Sequence, residues 1–206
     1  MTNTGDTYSE QMQDSIEPIS HTTKQVILIG CDHRGYNLKL LLREHLIKDG
    51  YDVLDVGTHD NSSCDYPDVA QSLIKTMDHK KGILICGSGF GMSIAANRNK
   101  GVHAVVPRTV EEAIISRQHG NVNVLCIGSD FTTEEDSIKI VDAFLNTAFL
   151  VNEEKYTRRI EAIDYRTFTY LDDERSSKGY EEVVNNTDRE EAMTFENEVD
   201  WSSTNK

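Results

Sequence analysis

Five short runs of strand character, at residues 26–30, 51–57, 82–86, 102–106 and 123–128, alternate along the chain with segments whose apolar positions recur at helical spacing. That alternation is what most limits the fold. A parallel pair of strands needs a crossover, usually a helix, and strands apolar on both sides need both faces covered. The pattern therefore predicts an α/β fold built on a doubly wound, five-stranded parallel sheet in three layers. Helices are expected over residues 36–49, where Gly50 closes the segment, over 69–77 with Pro67 near its start, after the third strand, over 110–117, from 134 to about 149, and from 153 to 165. Thr132 or Thr133 can cap the fifth of these, with Glu135 and Asp136 placed well for its dipole.

The domain is expected to run from 25 to 165. Residues 1–24 read as a disordered leader, and 166–206 as an acidic, disordered tail. The formal charge of −14 is concentrated at the ends: residues 1–24 hold four acids and one lysine, and 171–206 hold eleven acids against four basic residues. An acidic chain without a basic stripe is a poor partner for nucleic acid or an anionic membrane. No apolar run reaches the roughly 20 residues of a membrane span, and no secretory signal is visible at the N-terminus, so a cytoplasmic protein is expected. Cys31, Cys64, Cys86 and Cys126 are dispersed, with no C-x-x-C pair, which argues for free thiols rather than a zinc site or disulfide framework.

The stretch from Gly82 to Asn97 carries the chemistry. An apolar strand ends in Cys86, a loop follows with Gly87, Gly89 and Gly91, and a helical segment continues. Such a unit aims backbone N–H groups and the positive end of a helix at one spot, which favours an anion and a thiolate there. A dinucleotide fingerprint is the nearest competitor, but the spacing is wrong and the next strand ends in Val105, Val106, Pro107 and Arg108 with no acid, which argues against a nicotinamide cofactor. In doubly wound sheets ligands collect at the carboxyl ends of the strands, where this chain has Cys31, Asp32, His33, the Cys86 loop and Arg108. Plain structural readings stand beside these. Asp32 could cap the helix starting at Tyr36, His33 and His119 could be solvated loop histidines, and Lys155 and Arg159 could be a solvated helix face.

Taken together, the segments 30–35 (Gly-Cys-Asp-His-Arg-Gly), 65–67 (Asp-Tyr-Pro), 82–97, 116–119 (Ser-Arg-Gln-His), 123–125 and 159–163 resemble the ribose-5-phosphate isomerase B family, which includes the galactose-6-phosphate isomerase subunits. The resemblance implies a Rossmann-like fold, no metal or organic cofactor, a small sugar phosphate as substrate, and a homodimer with shared active sites. It implies that Cys86 transfers the proton, that Asp32 and His33 form the family's Asp-His pair, and that His119 assists ring opening. Tyr66, Gly87, Ser88, Gly89, Phe90 and Gly91 are the implied substrate contacts. His33, Arg117, Lys155 and Arg159 are the implied phosphate ligands. The expected reaction interconverts ribose 5-phosphate and ribulose 5-phosphate through a cis-enediolate. A six-carbon sugar phosphate, or a catalytically weak sugar-phosphate sensor, are the alternatives. Gly120, Asp130 and Lys155 depart from the family pattern. Asp130 in particular is expected to repel a phosphate, and Asn121 to substitute for the asparagine missing at 120.

Overall fold

The computed structural model describes residues 24–172. The expected leader, apart from Lys24, and the expected tail beyond residue 172 lie outside the described residues. The elements are β1 (Val26–Cys31), α1 (Tyr36–Lys48), β2 (Asp52–Asp55), α2 (Tyr66–Thr76), β3 (Lys81–Cys86), α3 (Phe90–Ala96), β4 (Ala104–Val105), α4 (Val110–Gly120), β5 (Val124–Gly128), α5 (Glu134–Asn146) and α6 (Glu154–Asp172). Every strand pairing is parallel, and the sheet order is β2-β1-β3-β5-β4. The doubly wound, five-stranded α/β architecture is thus as expected.

The three central strands are apolar on both faces because both are covered. Ile27, Ile29, Ile83, Ile85, Leu125 and Ile127 point into one core with Leu42 of α1 and Val141 and Phe144 of α5. Alternate residues of the same strands, Leu28, Leu84, Val124 and Cys126, meet Leu73 of α2 and Met92 of α3 on the other side. In α1, Leu38, Leu42 and Leu46 recur every four residues and are all buried, which is how a helix lays one stripe on a sheet. Burying these two faces is the main driving force for the fold, at about 25 cal/mol per Å² of apolar surface removed from water. Among the described residues no helix is long and apolar enough to cross a membrane.

Several element boundaries differ from the sequence reading. β4 is cut to Ala104–Val105, and the Asn97 side chain takes over as a stand-in for a further strand: its Oδ1 accepts the Ala104 N–H at 2.9 Å and its Nδ2 donates to the Ala104 carbonyl at 2.8 Å. An exposed sheet edge is closed this way by a single side chain. α5 stops at Asn146 rather than about 149 because cations from other elements take its terminal carbonyls. Lys81 Nζ donates to Leu145 O at 2.7 Å and Arg117 Nε to Thr147 O at 3.2 Å. α6 runs on to Asp172, past the boundary expected at 165.

Candidate active site

The connection from β1 leads outward to β2, and the connection from β2 crosses back to β3, so the order reverses between β1 and β3. Ligands of doubly wound sheets bind outside the carboxyl ends at such a point. Here it brings Asp32 against Cys86: the Asp32 N–H donates to the carbonyl of Ile85 at 3.0 Å. Cys86 is 4% exposed, and its Sγ accepts the Gly89 N–H at 3.1 Å. A donor aimed at sulfur is the arrangement that holds negative charge there.

Gly89 has φ of 81°, a left-handed conformation that glycine adopts at little cost, and a Cβ there would stand 2.7 Å from Val106 Cγ1. The same loop forbids a side chain at the end of β5, since a Cβ on Gly128 would lie 2.5 Å from the Ser88 carbonyl oxygen. Ser88 Oγ accepts the Phe90 N–H at 3.3 Å, while the N–H groups of Ser88 and Gly91 have no partner among the described residues. The loop therefore presents open donors beside the thiol. The Tyr66 ring lies over Gly91, where a Cβ would come within 2.8 Å of it. Phe90 is exposed, with the Arg108 guanidinium 5.4 Å from its ring centre.

Asp32 and His33 are both fixed by backbone. Asp32 Oδ1 accepts the N–H groups of Arg34 at 2.9 Å and Gly35 at 3.1 Å, so one carboxylate oxygen does tie the turn that starts α1. Its Oδ2 has no partner among the described residues. His33 Nδ1 accepts the Cys64 N–H at 3.4 Å, which puts the neutral ring's proton on Nε2. The loop carrying Cys64 is anchored in turn by Lys39, fully buried, whose Nζ donates to both oxygens of Asp55 at 2.8 and 2.7 Å and to the Thr58 carbonyl.

The remaining expected residues are elsewhere. α4 begins after the carboxyl end of β4 and returns to the start of β5, so His119 in its last turn lies at the amino edge of the sheet, opposite Cys86. There its ring stacks on Tyr156 of α6, with centroids 4.2 Å apart and planes 14° from parallel. Lys155 and Arg159, both exposed, share that helix. Arg117 is 8% exposed and packed over the Phe144 ring, with its guanidinium donating to the carbonyls of Thr147 and Val122 and to Asn121 Oδ1. These contacts tie Nε and Nη1 of Arg117 to the fold of its own subunit. Asn121 is likewise occupied, as the left-handed cap of α4 and a partner of Arg117. Asp130, expected as a bare repulsive charge, is paired: Arg34 Nη2 sits 2.6 Å and Nε 3.1 Å from its Oδ2.

Arg34 and Tyr156 escaped the sequence reading. Arg34 stands inside the quoted Gly30 to Gly35 segment, so its position was visible and its partner, 96 residues away, was not. The thiols divide by environment. Burial pushes Cys31 up to about 11 and raises Cys126 further, which keeps both protonated. Away from the edge, His45, Asp49 and Asp142 place ligand atoms within 4.8 Å of one another, with His45 Nε2 2.7 Å from Asp142 Oδ1.

Fold and edge together define an α/β protein with its candidate site at the switch point of a parallel sheet. The model of the Ribose/Galactose Isomerase family matches residues 27–163. The chain is 42% identical over 142 residues to the probable ribose-5-phosphate isomerase B of Mycoplasma genitalium, covering 66% of this chain and 92% of that protein. A structure of Clostridium thermocellum ribose-5-phosphate isomerase B superposes with TM-score 0.66 at 38% identity, covering 71% of this chain and 99% of that one. The Mycoplasma genitalium isomerase with bound ribulose-5-phosphate superposes with TM-score 0.63 at 41% identity, covering 69% and 95%. The chain belongs to the Ribose/Galactose Isomerase family.

Proposed function

We propose that this protein interconverts ribose 5-phosphate and ribulose 5-phosphate, with Cys86 as the base. The observation that carries the proposal is Cys86 itself, a thiol at the switch point whose Sγ is held under the Gly89 N–H beside unpaired loop donors. The bound ribulose-5-phosphate of the Mycoplasma genitalium relative supports the choice of substrate.

In the open-chain aldose, Cys86 thiolate takes the C2 proton. The electron pair of that C–H bond forms the C1–C2 double bond, and the carbonyl pair moves onto O1, giving a cis-enediolate once the O2 proton is shared. The thiol then returns a proton to C1, and the O2 electrons close the ketone at C2. Negative oxygen in the intermediate is met by the N–H groups of Ser88 and Gly91, a kind of contact worth about 2.7–4 kcal/mol per donor where it has been removed. Asp32 Oδ2 accepts a substrate hydroxyl, and His33 Nε2–H donates to substrate oxygen. Tyr66, Gly87 and Phe90 shape the wall. No metal or organic cofactor is required by this sequence of steps.

One chain holds only half of the expected constellation. His119, Lys155 and Arg159 lie at the amino edge, so the complete site joins the Cys86 edge of one subunit to the α4–α6 edge of its partner in a homodimer. His119 then moves the ring hydroxyl proton during opening, and Lys155 and Arg159 meet the phosphate. Lysine keeps the charge of an arginine but not its fork.

Turnover of ribose 5-phosphate by the purified protein, followed as ribulose 5-phosphate, tests the reaction. Cys86→Ala should abolish it with the melting temperature preserved; activity within a few-fold of the unsubstituted protein removes Cys86 as the base. Co-expression of Cys86→Ala with His119→Ala chains should restore part of the activity, because a mixed dimer carries one site with both groups intact. If the mixture stays as inactive as the separate variants, the shared site is wrong.

A further inference from the structure

We propose that Arg34, aimed by Asp130, is the cation with which the Cys86 edge grips the substrate's phosphate, an assignment that rests on the isomerase reading above. Within one subunit, the other cations are committed or distant. Arg117 is spent on carbonyls in the core, Lys155 and Arg159 are at the opposite edge, and Arg108 lies between the rings of Phe90 and Phe131 at 5.4 and 5.3 Å. Of these cations, Arg34 is the one whose guanidinium rests on Gly87, the residue that follows Cys86. A Cβ on Gly87 would stand 2.6 Å from Arg34 Nε and 2.7 Å from Asp130 Oδ2, so the pair rests directly on the residue after the thiol.

The pair is built in at both ends. Arg34 N–H donates to Asp32 Oδ1 at 2.9 Å, Ser129 Oγ donates to the Arg34 carbonyl at 3.2 Å, and the Asp130 N–H donates to the Gly87 carbonyl at 3.0 Å. The guanidinium nevertheless keeps capacity in reserve. Nε and Nη2 both converge on one oxygen, Oδ2, and Nη1 has no partner among the described residues. The side chain is 56% exposed. Asp130 therefore fixes one side of the fork and leaves the other side open to the solvent over the loop. Planar, preorganised donors of this kind suit a phosphate oxygen, and the dianion is the one charged group the substrate offers. Asp130 supplies orientation, and its own charge is cancelled by the residue it orients.

Steady-state kinetics on four proteins separate this role from simple neutralisation of Asp130. Arg34→Ala should raise the KM for ribose 5-phosphate about 10–100-fold while kcat stays within about threefold, the signature of lost uniform binding. Asp130→Asn should change KM by less than about threefold, since the cation stays while its anchor weakens. The double variant decides the matter. If Arg34 binds phosphate, the double variant keeps a KM at least about fivefold above that of the unsubstituted protein; if Arg34 only neutralises Asp130, the two substitutions cancel and the proposal is overturned. Arg34→Lys, a fifth protein, should fall between, retaining charge without the fork. Free ribose provides the control, because loss of Arg34 should cost its turnover far less than that of ribose 5-phosphate, and an equal loss on the two sugars overturns the phosphate assignment. Absence of any turnover in the unsubstituted protein would sink the isomerase reading instead. Calorimetric titration with ribulose 5-phosphate then scores the same four proteins, with weaker binding in Arg34→Ala and in the double variant supporting the grip and equal binding refuting it.

Discussion

Gly128→Ala tests whether the glycine loop must stand where it does. Gly128 ends β5 and pairs with Cys86 across the sheet. A Cβ there would lie 2.5 Å from the carbonyl oxygen, 2.6 Å from the carbonyl carbon and 3.0 Å from Cα of Ser88, whereas ordinary contacts begin at 3.4 Å. All three atoms are backbone, so no side chain can rotate away. Relief requires the Ser88 loop to lift by about 0.9 Å, and the Gly89 N–H to Cys86 Sγ contact stretches towards about 4 Å, out of good hydrogen-bonding range. A displacement of that size at reacting groups costs about 100-fold in rate. The overpacking itself costs about 1–3 kcal/mol, a drop of roughly 3–10 °C in melting temperature that leaves the protein folded at assay temperature. Gly82→Ala is the matched control. Its Cβ would meet Leu73 Cδ2 at 2.6 Å, a similarly short contact, but with the tip of a side chain rather than with backbone, at the amino end of β3. We expect Gly82→Ala to lose stability while kcat/KM remains within about threefold, and Gly128→Ala to lose kcat/KM by about two orders of magnitude. Isomerase assays with parallel thermal melts read both. Normal activity in Gly128→Ala would show that the loop geometry beside Cys86 does not control the chemistry.

Lys39→Met should destabilise the fold by about 3–5 kcal/mol, because it strands the Asp55 carboxylate, and adding Asp55→Leu should recover most of that in chemical denaturation. A pH prediction follows from Lys81, whose ammonium is pushed down to about 8 by burial, with the Arg117 guanidinium adding to it. Between about 8 and 10.5 the unfolded chain holds a proton that the folded one has lost, so stability rises with pH across that window and its cost is fully present below it. Solvent reaches part of this group, so the gain is about 1–2 kcal/mol, and Lys81→Met should flatten it in melts taken from pH 7 to 10.5. Among the thiols, Cys31 and Cys126 should resist alkylation by iodoacetamide at neutral pH while Cys86 reacts and a sugar phosphate protects it, as mass mapping of the labelled peptides will show; early labelling of Cys126 would contradict its burial.

What the sequence disclosed and what it hid divide along range. Strand ends were legible because a parallel strand closed by glycine is a local pattern, and in a doubly wound sheet such ends converge on one edge; Asp32, His33, Cys86 and the loop glycines followed from that alone. The end of α5 was not legible. Its terminal carbonyls are taken by Lys81 and Arg117, neither of which belongs to its own stretch of sequence. The burial of Arg117 did leave a trace, since it stands four residues from Ala113, also buried, on the inward face of α4. Its place two residues before His119 in the motif obscured that helical phase. The charge of Asp130 misled for a different reason: a carboxylate read alone is repulsive to phosphate, and only the fold shows that Arg34 cancels it.

Helix direction carries one further consequence for the proposed reaction. A crossover helix that leaves the carboxyl edge of one strand must return its last turn to the amino edge of the next, so the end of α4 cannot reach Cys86 of its own sheet, however the loop at 121–123 is arranged. If His119 and Cys86 serve one substrate, the chain has to meet a second copy. A twofold-symmetric pair satisfies this economically, because each subunit then offers one Cys86 edge and one α4–α6 edge, and a single self-complementary interface completes two identical sites. Under that arrangement the stacking of His119 on Tyr156 has a defined purpose. It orients the imidazole before the partner arrives, so the geometry needed for ring opening is held by α6, while the thiol is held by the glycine loop of the other subunit.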